Sequence, residues 1–455
     1  MDFSTVTIIG AGVAGLAAGE RLSTHGLSSV CLESRPHWGG HCASDEVGGY
    51  VFDEGPHVSF TRDAHVQSVF ERGAERVRVL TARLTNYFGG RWAHHPAQCH
   101  LHGLPADLVA DCVTDLAVAQ QRSAASPAAD YATWCMQRYG RTFAERFVFE
   151  YTRKYWTVEP AMLDTEWIGD RMYVPSLRDV VRGSLTATVR TDCHYLQRFR
   201  YPWCGGFQSF LAGLRRAVDV RVSAHVREID LENRHLLCAD GSLFGFDHLI
   251  SSMPLPELIA TISAPVVPMA VREAAASLEV TWVLLVDLAL AACVPPQRAQ
   301  IFYVYDRDIS VSRVSFPHLL SPRNAPRGFA SAQAEVYYSR HRPLDASPDN
   351  CIERVIGELQ RMKVIPARRD VLWARARRVP YANVLFTAQR VAAVQTIRRW
   401  LATTCVLSVG RYGEWAYFWS DDAARSGWAA ADQILAARGC AAPALASGPT
   451  REVTS

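Results

Sequence analysis

The chain opens with a short, mostly apolar run at residues 6–9, a glycine-rich turn at 10–15, and a helical pattern at 16–22 with Leu16 and Leu22 set among small residues. Residues 28–33 follow as a second run that ends in an acid. Runs of this length without polar alternation predict buried parallel strands, so the first third of a hundred residues reads as a βαβ unit. A further strand is expected at 49–52, entering a turn at 53–57. Residues 103–195 carry helical periodicity, clearest at 104–121 and 126–139, with few strand signals. A helix is expected at 209–218, short strands at 220–222 and 226–229, and a hairpin at 235–249 around Asp240-Gly241. Residues 248–254 return as a strand and turn. Residues 278–294, 301–317 and 329–339 are β-rich, and 405–410 is a last buried strand before a helix from about 421. The stretch after 438 is mostly Ala, Gly, Pro, Ser and Thr, the composition of a disordered tail.

This order predicts an α/β fold: a Rossmann-like nucleotide-binding domain, a helical insert and an antiparallel-sheet substrate domain. The nucleotide domain is expected to be discontinuous, from residues 1–80, 200–255 and 400–438. The helical capping domain takes 100–195, the sheet domain 81–99 with 256–399, and the tail 439–455.

The first turn carries the chemistry. Gly10, Gly12 and Gly15 form G-x-G-x-x-G directly after a strand, with Ala14 inside the motif. Gly10 makes the tight turn, Gly12 lets backbone approach a pyrophosphate, and Gly15 lets helix pack on strand. The helix start offers unpaired N–H groups to the anion. Glu33 lies 18 residues past Gly15, where an acid can hold ribose hydroxyls. Beyond it come Ser34, Arg35, the pair Gly39-Gly40, and His41. This resembles the E-x-R-x-x-x-GG pattern of flavoproteins with two dinucleotide-binding domains, and implies FAD.

Composition narrows the field by exclusion. Net charge is +3, from 48 basic and 45 acidic residues, and no basic block suggests nucleic acid. Only two of the basic residues are lysines, Lys154 and Lys363. Lys154 is expected in a structural ion pair. The 12 cysteines form no CxxC pair and no cluster with zinc spacing, so no metal is expected. The longest apolar run, 282–294, is broken by Asp287 and too short to span a bilayer. No basic n-region precedes the first strand, so the expected location is the cytoplasm, with reduced thiols.

The C-terminal stretch Gly410-Arg411-Tyr412-Gly413-Glu414-Trp415-Ala416-Tyr417 resembles the G-R-F-G-x-W-x-Y segment of UDP-galactopyranose mutases, especially the eukaryotic-type branch. Residues 53–60, from Asp53 to Phe60, are similar to its D-x-G-x-H-x-x-F segment. Lys154-Tyr155-Trp156 and Trp167-Ile168-Gly169-Asp170-Arg171 are similar to K-x-W and W-x-G-E-R. Residues 199–206 are similar to F-R-F-P-x-x-G-G, and Tyr303 stands ten residues before Arg313 as in that family.

The resemblance implies a ring contraction of an NDP-hexopyranose to an NDP-hexofuranose, with N5 of reduced flavin attacking the anomeric carbon. It implies that Arg171 and Arg313 clamp the diphosphate, because guanidinium binds phosphate bidentately and stays charged. Tyr303, Tyr381 and Tyr417 would contact diphosphate and sugar, and His57 would lie against the flavin. Arg411, with Gly410, would face the flavin's pyrimidine end, and Val226 would touch the cofactor. Gln98 would sit near the nucleoside, and Trp156, Trp167 and Phe60 would line the substrate pocket. The reduced cofactor implies NAD(P)H or another reductant; a homo-oligomer is left open. His95, Ala97, Thr152 and Leu196 depart from the residues usual in that family, which opens the identity of base and sugar. The alternative is an FAD-dependent oxidoreductase of the amine oxidase or desaturase type.

Overall fold

The structure, a computed structural model, describes residues 2–122, 127–188 and 193–439. The tail at 440–455 lies outside the described residues. The protein is mixed α/β, built on two large sheets.

The first sheet has eight strands and is parallel at its centre. Asp2–Ile9 pairs in parallel with Ser29–Leu32 on one side and with Leu243–Ser251 on the other. Val406–Ser408 adds in parallel beside Leu243–Ser251, and Asp219–Arg221 beside Ser29–Leu32. Val6 and Ile8 are fully buried because helices cover both faces. Helix Val13–Thr24 packs on helix Ser420–Ala437 at very short range: a Cβ on Gly427 would stand 2.0 Å from the Ala14 carbonyl oxygen. Arg21 and Asp432 close the same contact with an ion pair at 2.7 Å.

The second sheet has seven strands, in the order Val371–Val384, Val280–Leu290, Ala330–Tyr338, Arg313–Ser315, Ile301–Val304, Leu84–Phe88, Arg91–His94. It departs from the antiparallel expectation at one seam, where Ile301–Val304 and Leu84–Phe88 run parallel. Leu284, Val286, Leu288, Phe302, Val314 and Val336 face helix Pro348–Arg361, which covers one side with Val355, Ile356 and Leu359. The opposite face is polar at its centre. Asp287, fully buried, accepts from Gln333 Nε2, Arg375 Nε and Arg377 Nε at 2.7, 3.0 and 2.8 Å. Gln333 and Arg377 also donate to the Asp53 carbonyl, which ties this sheet to the hairpin Ser44–Val47/Tyr50–Asp53.

Three elements differ from the pattern-based expectation. The expected helix at 209–218 is a 3₁₀ turn, Phe207–Leu211, followed by one short helix, Ala212–Arg216. Strand Val371–Val384 has no apolar alternation to announce it, because Arg375 and Arg377 fill its inward positions opposite Asp287. Leu84–Phe88 buries Thr85 and Asn86, which bond the carbonyls of Ala93 and His94 across the hairpin.

The helix contact gives a test. Gly427→Val should lower stability by about 1–3 kcal/mol, because the added methyls overpack a backbone contact. Gly357→Ala, in helix Pro348–Arg361 where a Cβ meets nothing, should raise it by about 0.5–1 kcal/mol. Urea unfolding midpoints of the two variants check both signs.

Candidate active site

The glycine turn has the geometry a dinucleotide requires. Gly10 has φ +94°, and a Cβ there would strike the Ser252 hydroxyl. A Cβ on Gly15 would stand 1.9 Å from the Gly10 carbonyl oxygen, so strand, turn and helix close up only with glycine. Gly12 is different: a Cβ there meets nothing nearer than Gly40 Cα at 3.7 Å. It would project into the space over the start of helix Val13–Thr24, which has no side-chain cap. That open cradle over uncapped N–H groups suits a pyrophosphate. Gly39 N donates to Ala11 O at 2.8 Å, which lays the second loop over the first.

Glu33 is buried, and each oxygen accepts one backbone N–H, from Ala11 and from Arg35, both at 2.9 Å. Its remaining lone pairs are left for hydroxyls. The Ser34 hydroxyl lies 3.4 Å from the same carboxylate. Ala224 N donates to the Glu33 carbonyl, and Val226, two residues on, is core packing in the adjoining strand. Arg35 and His41 converge on Glu54, at 2.7 and 2.6 Å. Burial works to raise the Glu54 pKa, but the His41 bond and the Arg35 charge prevail and hold it at about 2. His57 Nδ1 bonds the Gly55 carbonyl at 3.0 Å and its ring lies 5.5 Å from Phe207; burial lowers its pKa.

The polar face of the seven-stranded sheet forms a row. Asn86 is directly opposite Tyr303, Tyr303 opposite Arg313, and Arg313 opposite Glu335. Direct partners share a face, so four polar side chains stand side by side. The ten-residue spacing of Tyr303 and Arg313 is therefore the span of one hairpin. Arg313 Nε donates to Glu335 at 2.9 Å, and Tyr337 holds the other carboxylate oxygen at 2.6 Å. Burial alone would lower the Arg313 pKa; the Glu335 charge reverses that and raises it.

Two further cations lack any carboxylate partner among the described residues. Arg171 donates to the carbonyls of Trp167 and Tyr417 at 3.0 and 2.7 Å, with its guanidinium 4.5 Å from the centres of both Tyr417 and Trp419. Arg411 donates to Phe418 O and Asn383 Oδ1, both at 3.1 Å, and lies 4.7 Å from the Tyr417 ring centre. Their Nε atoms are buried without acceptors, against ring faces that attract cations.

A series of ring contacts, with Arg171 as one link, connects these side chains in a circuit. From Tyr417 it passes through Trp156, Tyr155, Tyr151 and Tyr303, with ring centres 5.4–5.9 Å apart. It continues through His95, His194 and Tyr195 to Trp419, at 4.3–5.4 Å, and returns to Tyr417 across Arg171. Phe60 packs on Trp419 and Tyr195 at 4.8 and 5.5 Å. Most members are enclosed yet only partly buried, so they line a cleft.

Of the residues predicted for substrate, the structure brings together Arg171, Arg313, Tyr303, Tyr417, Trp156, Trp167 and Phe60. Arg411 joins them. Tyr381 instead packs on Tyr412 and Trp415, toward His41. Gln98 turns into the helical region, bonding the Tyr173 carbonyl and lining a small cavity with Leu101, Cys112 and Tyr139. The expected ion pair of Lys154 is absent among the described residues. Its ammonium nitrogen donates to the carbonyls of Val304 and Asp306 at 2.9 and 3.1 Å. The sequence reading missed Glu54, Glu335, Asn383, Tyr151 and Tyr195. Only cross-strand register connects Glu335 to Arg313, and no local motif carries it.

The sequence profile described as flavin containing amine oxidoreductase matches residues 13–435, and the chain belongs to that family. Its fold is similar to that of a reduced UDP-galactopyranose mutase, with TM-score 0.90 and 22% identity over 95% of this chain and 94% of that one. It is less similar to putrescine oxidase bound to putrescine, with TM-score 0.65 and 16% identity over 95% and 99%. In sequence it is 34% identical over 71 residues to a 4,4'-diapophytoene desaturase of Staphylococcus haemolyticus, covering 16% of this chain and only 14% of that relative. No helix among the described residues is long and apolar enough to cross a membrane.

Lys154 yields a pH prediction. Burial pushes its pKa down to about 7, and a neutral amine still has two protons for its two carbonyls. The unfolded value is about 10.4, so between these values the unfolded chain binds more protons and stability rises with pH. Lys154→Met should flatten that rise, which is roughly 3–5 kcal/mol at full shift. Urea titrations from pH 6.5 to 10 on both proteins measure it.

Proposed function

We propose that this chain is a flavin-dependent nucleotide-sugar mutase, converting an NDP-hexopyranose to the NDP-hexofuranose with its FAD reduced. The observation that carries this reading is the cation set of the cleft: Arg171 and, toward the flavin, Arg411, neither with a carboxylate partner among the described residues, and Arg313 sharing one. Such a surplus of positive charge, walled by rings, suits a ligand with several anionic oxygens. An amine substrate would meet repulsion there, and a polyene would leave the guanidinium groups unpaired.

The residues divide the work. Gly10, Gly12, Ala14 and Gly15 with the helix start would hold the cofactor pyrophosphate, and Glu33 its ribose. Arg35, Gly39, Gly40 and His41 would lie along the cofactor, with Glu54 fixing the two side chains. When bound, the reduced flavin supplies a nucleophile for the anomeric carbon. Arg171 and Arg313 would bind the diphosphate as its bond to that carbon breaks, stabilise the charge that develops on it, and keep it in place to rejoin the ring-contracted sugar. Tyr303 and Tyr417 would direct hydroxyls at the same oxygens, while Trp156 and Trp167 exclude water. Gly410 and Arg411 would face the reduced flavin's negative end.

A second reading, an FAD-dependent oxidoreductase, is favoured by the family description and by the desaturase match. The two differ in stoichiometry. Dithionite-reduced protein is incubated without oxygen with UDP-, GDP- and dTDP-hexoses, and products are separated. The mutase reading expects a new peak of unchanged mass that forms only with reduced protein. Oxygen uptake on an amine or polyene, with no isomer formed, would favour the oxidoreductase. Arg171→Ala and Arg313→Ala should each lower turnover by about 10²–10³. Gly12→Val should abolish FAD retention, because the side chain fills the cradle over the helix start; full flavin absorbance in the purified variant would contradict the assignment.

A further inference from the structure

We propose that His95 is a specificity-determining residue: its ring is locked as a hydrogen-bond acceptor, and it selects ligands that bring an N–H or O–H donor to the Tyr303 side of the cleft. The argument starts at Asn86, fully buried and directly opposite Tyr303 in the sheet. Its amide nitrogen donates to the His94 carbonyl at 3.0 Å, which fixes the orientation of the amide. The Asn86 oxygen therefore faces His95 Nδ1, at 2.9 Å. An amide oxygen can only accept, so the His95 proton sits on Nδ1, and in a neutral imidazole Nε2 then carries the lone pair.

The surroundings keep the ring neutral. Burial lowers the His95 pKa well below its usual value, and His194 and His100 add to this. The groups that face it are Tyr303 on its sheet, with which it stacks at 4.7 Å, His194 edge-on at 4.7 Å from the segment before strand Arg198–Pro202, and His100 beyond the turn Ala97–Cys99. None is a carboxylate. Nε2 has no partner among the described residues, and the ring remains partly exposed.

The rest of the cleft offers guanidinium donors, tyrosine hydroxyls that can turn to donate or accept, and ring faces. The Glu335 carboxylate is already taken by Arg313 and Tyr337, so His95 Nε2 differs from its neighbours in being an acceptor that cannot donate. A ligand that is only anionic gains nothing from it, whereas a ligand with a correctly placed donor satisfies it. Burying Nε2 unsatisfied on ligand closure carries a penalty, which is how a polar site rejects the wrong partner.

The test uses full-length FAD-bound protein and two probes, and rests on the nucleotide-sugar reading only for its first probe. One probe is whichever of UDP, GDP or dTDP binds most tightly; the other is P1,P2-dimethyl diphosphate, whose two acidic protons are both lost at pH 8, so that it has the diphosphate anion but no donor. His95→Phe should weaken the nucleotide at least tenfold and leave dimethyl diphosphate within about twofold. His95→Gln, whose amide oxygen reaches the Nε2 position, should recover the nucleotide to within about threefold. Equal loss of both probes, no loss of either, or binding that tightens between pH 8 and pH 6 only when His95 is present would overturn the proposal. The last outcome would mean a cationic anchor instead. If wild type binds no nucleotide, the mutase reading falls and ring ¹⁵N shifts of His95 decide this inference separately. A protonated Nδ1 and an unprotonated Nε2 sustain it, with the pattern scrambled in Asn86→Leu; the opposite tautomer or an imidazolium defeats it.

Discussion

A buried guanidinium must find acceptors, and the way this protein meets that demand shapes the whole cleft. Three arginines converge near Tyr417 and the sheet, yet Glu335 is the one carboxylate bonded to any of them among the described residues. The others are held by carbonyls at the ends of turns and by ring faces. Those acceptors satisfy hydrogen bonds without cancelling charge, so a net positive field survives in a partly desolvated space. The aromatic circuit follows from this. Tyrosine and tryptophan can lie against a cation, exclude water beside it and still present a polar edge.

The sheet makes the arrangement rigid. Asn86, Tyr303, Arg313 and Glu335 come from four strands, and hydrogen-bonded register places them, not side-chain search. A one-residue slip in any strand would turn its member to the other face, into the apolar layer under helix Pro348–Arg361. Lys154 adds a tie from another direction. It joins the helix that carries Tyr151 and Tyr155 to the strand end beyond Tyr303, through backbone carbonyls that mutation cannot remove.

The nucleotide-binding half was legible because its chemistry is local. Gly10, Gly12, Gly15 and Glu33 sit within one βαβ unit; Gly15 answers to a contact inside that unit and Gly12 faces the next loop, while Gly10, with φ +94°, also makes room for Ser252 from a distant strand end. The cleft was legible only where a resemblance supplied residues, as with Arg171 and Arg313. Glu335, Asn383 and Tyr195 escaped, since each acquires meaning from a neighbour far away in sequence. Strand Val371–Val384 escaped for a related reason. Its inward arginines look like surface positions until Asp287 is seen between them. Lys154 was misjudged because its partners are two backbone carbonyls, of Val304 and Asp306, which no side-chain pattern announces.

The helix pair Val13–Thr24 and Ser420–Ala437 bears on how the protein comes into being. The Arg21–Asp432 bond spans 411 residues, and Ala14, inside the glycine motif, is pressed by Gly427 and Gly410. A chain emerging from the ribosome exposes the first helix early, without the surface it packs on. The glycine turn therefore cannot acquire its final support until residues 420–437 have been translated. At roughly 5–20 residues per second, that interval lasts tens of seconds, during which an apolar helix face stays open to chaperones or to neighbouring chains. Cofactor capture is accordingly a late event in biosynthesis, and flavin supply bears on the finished chain more than on the growing one.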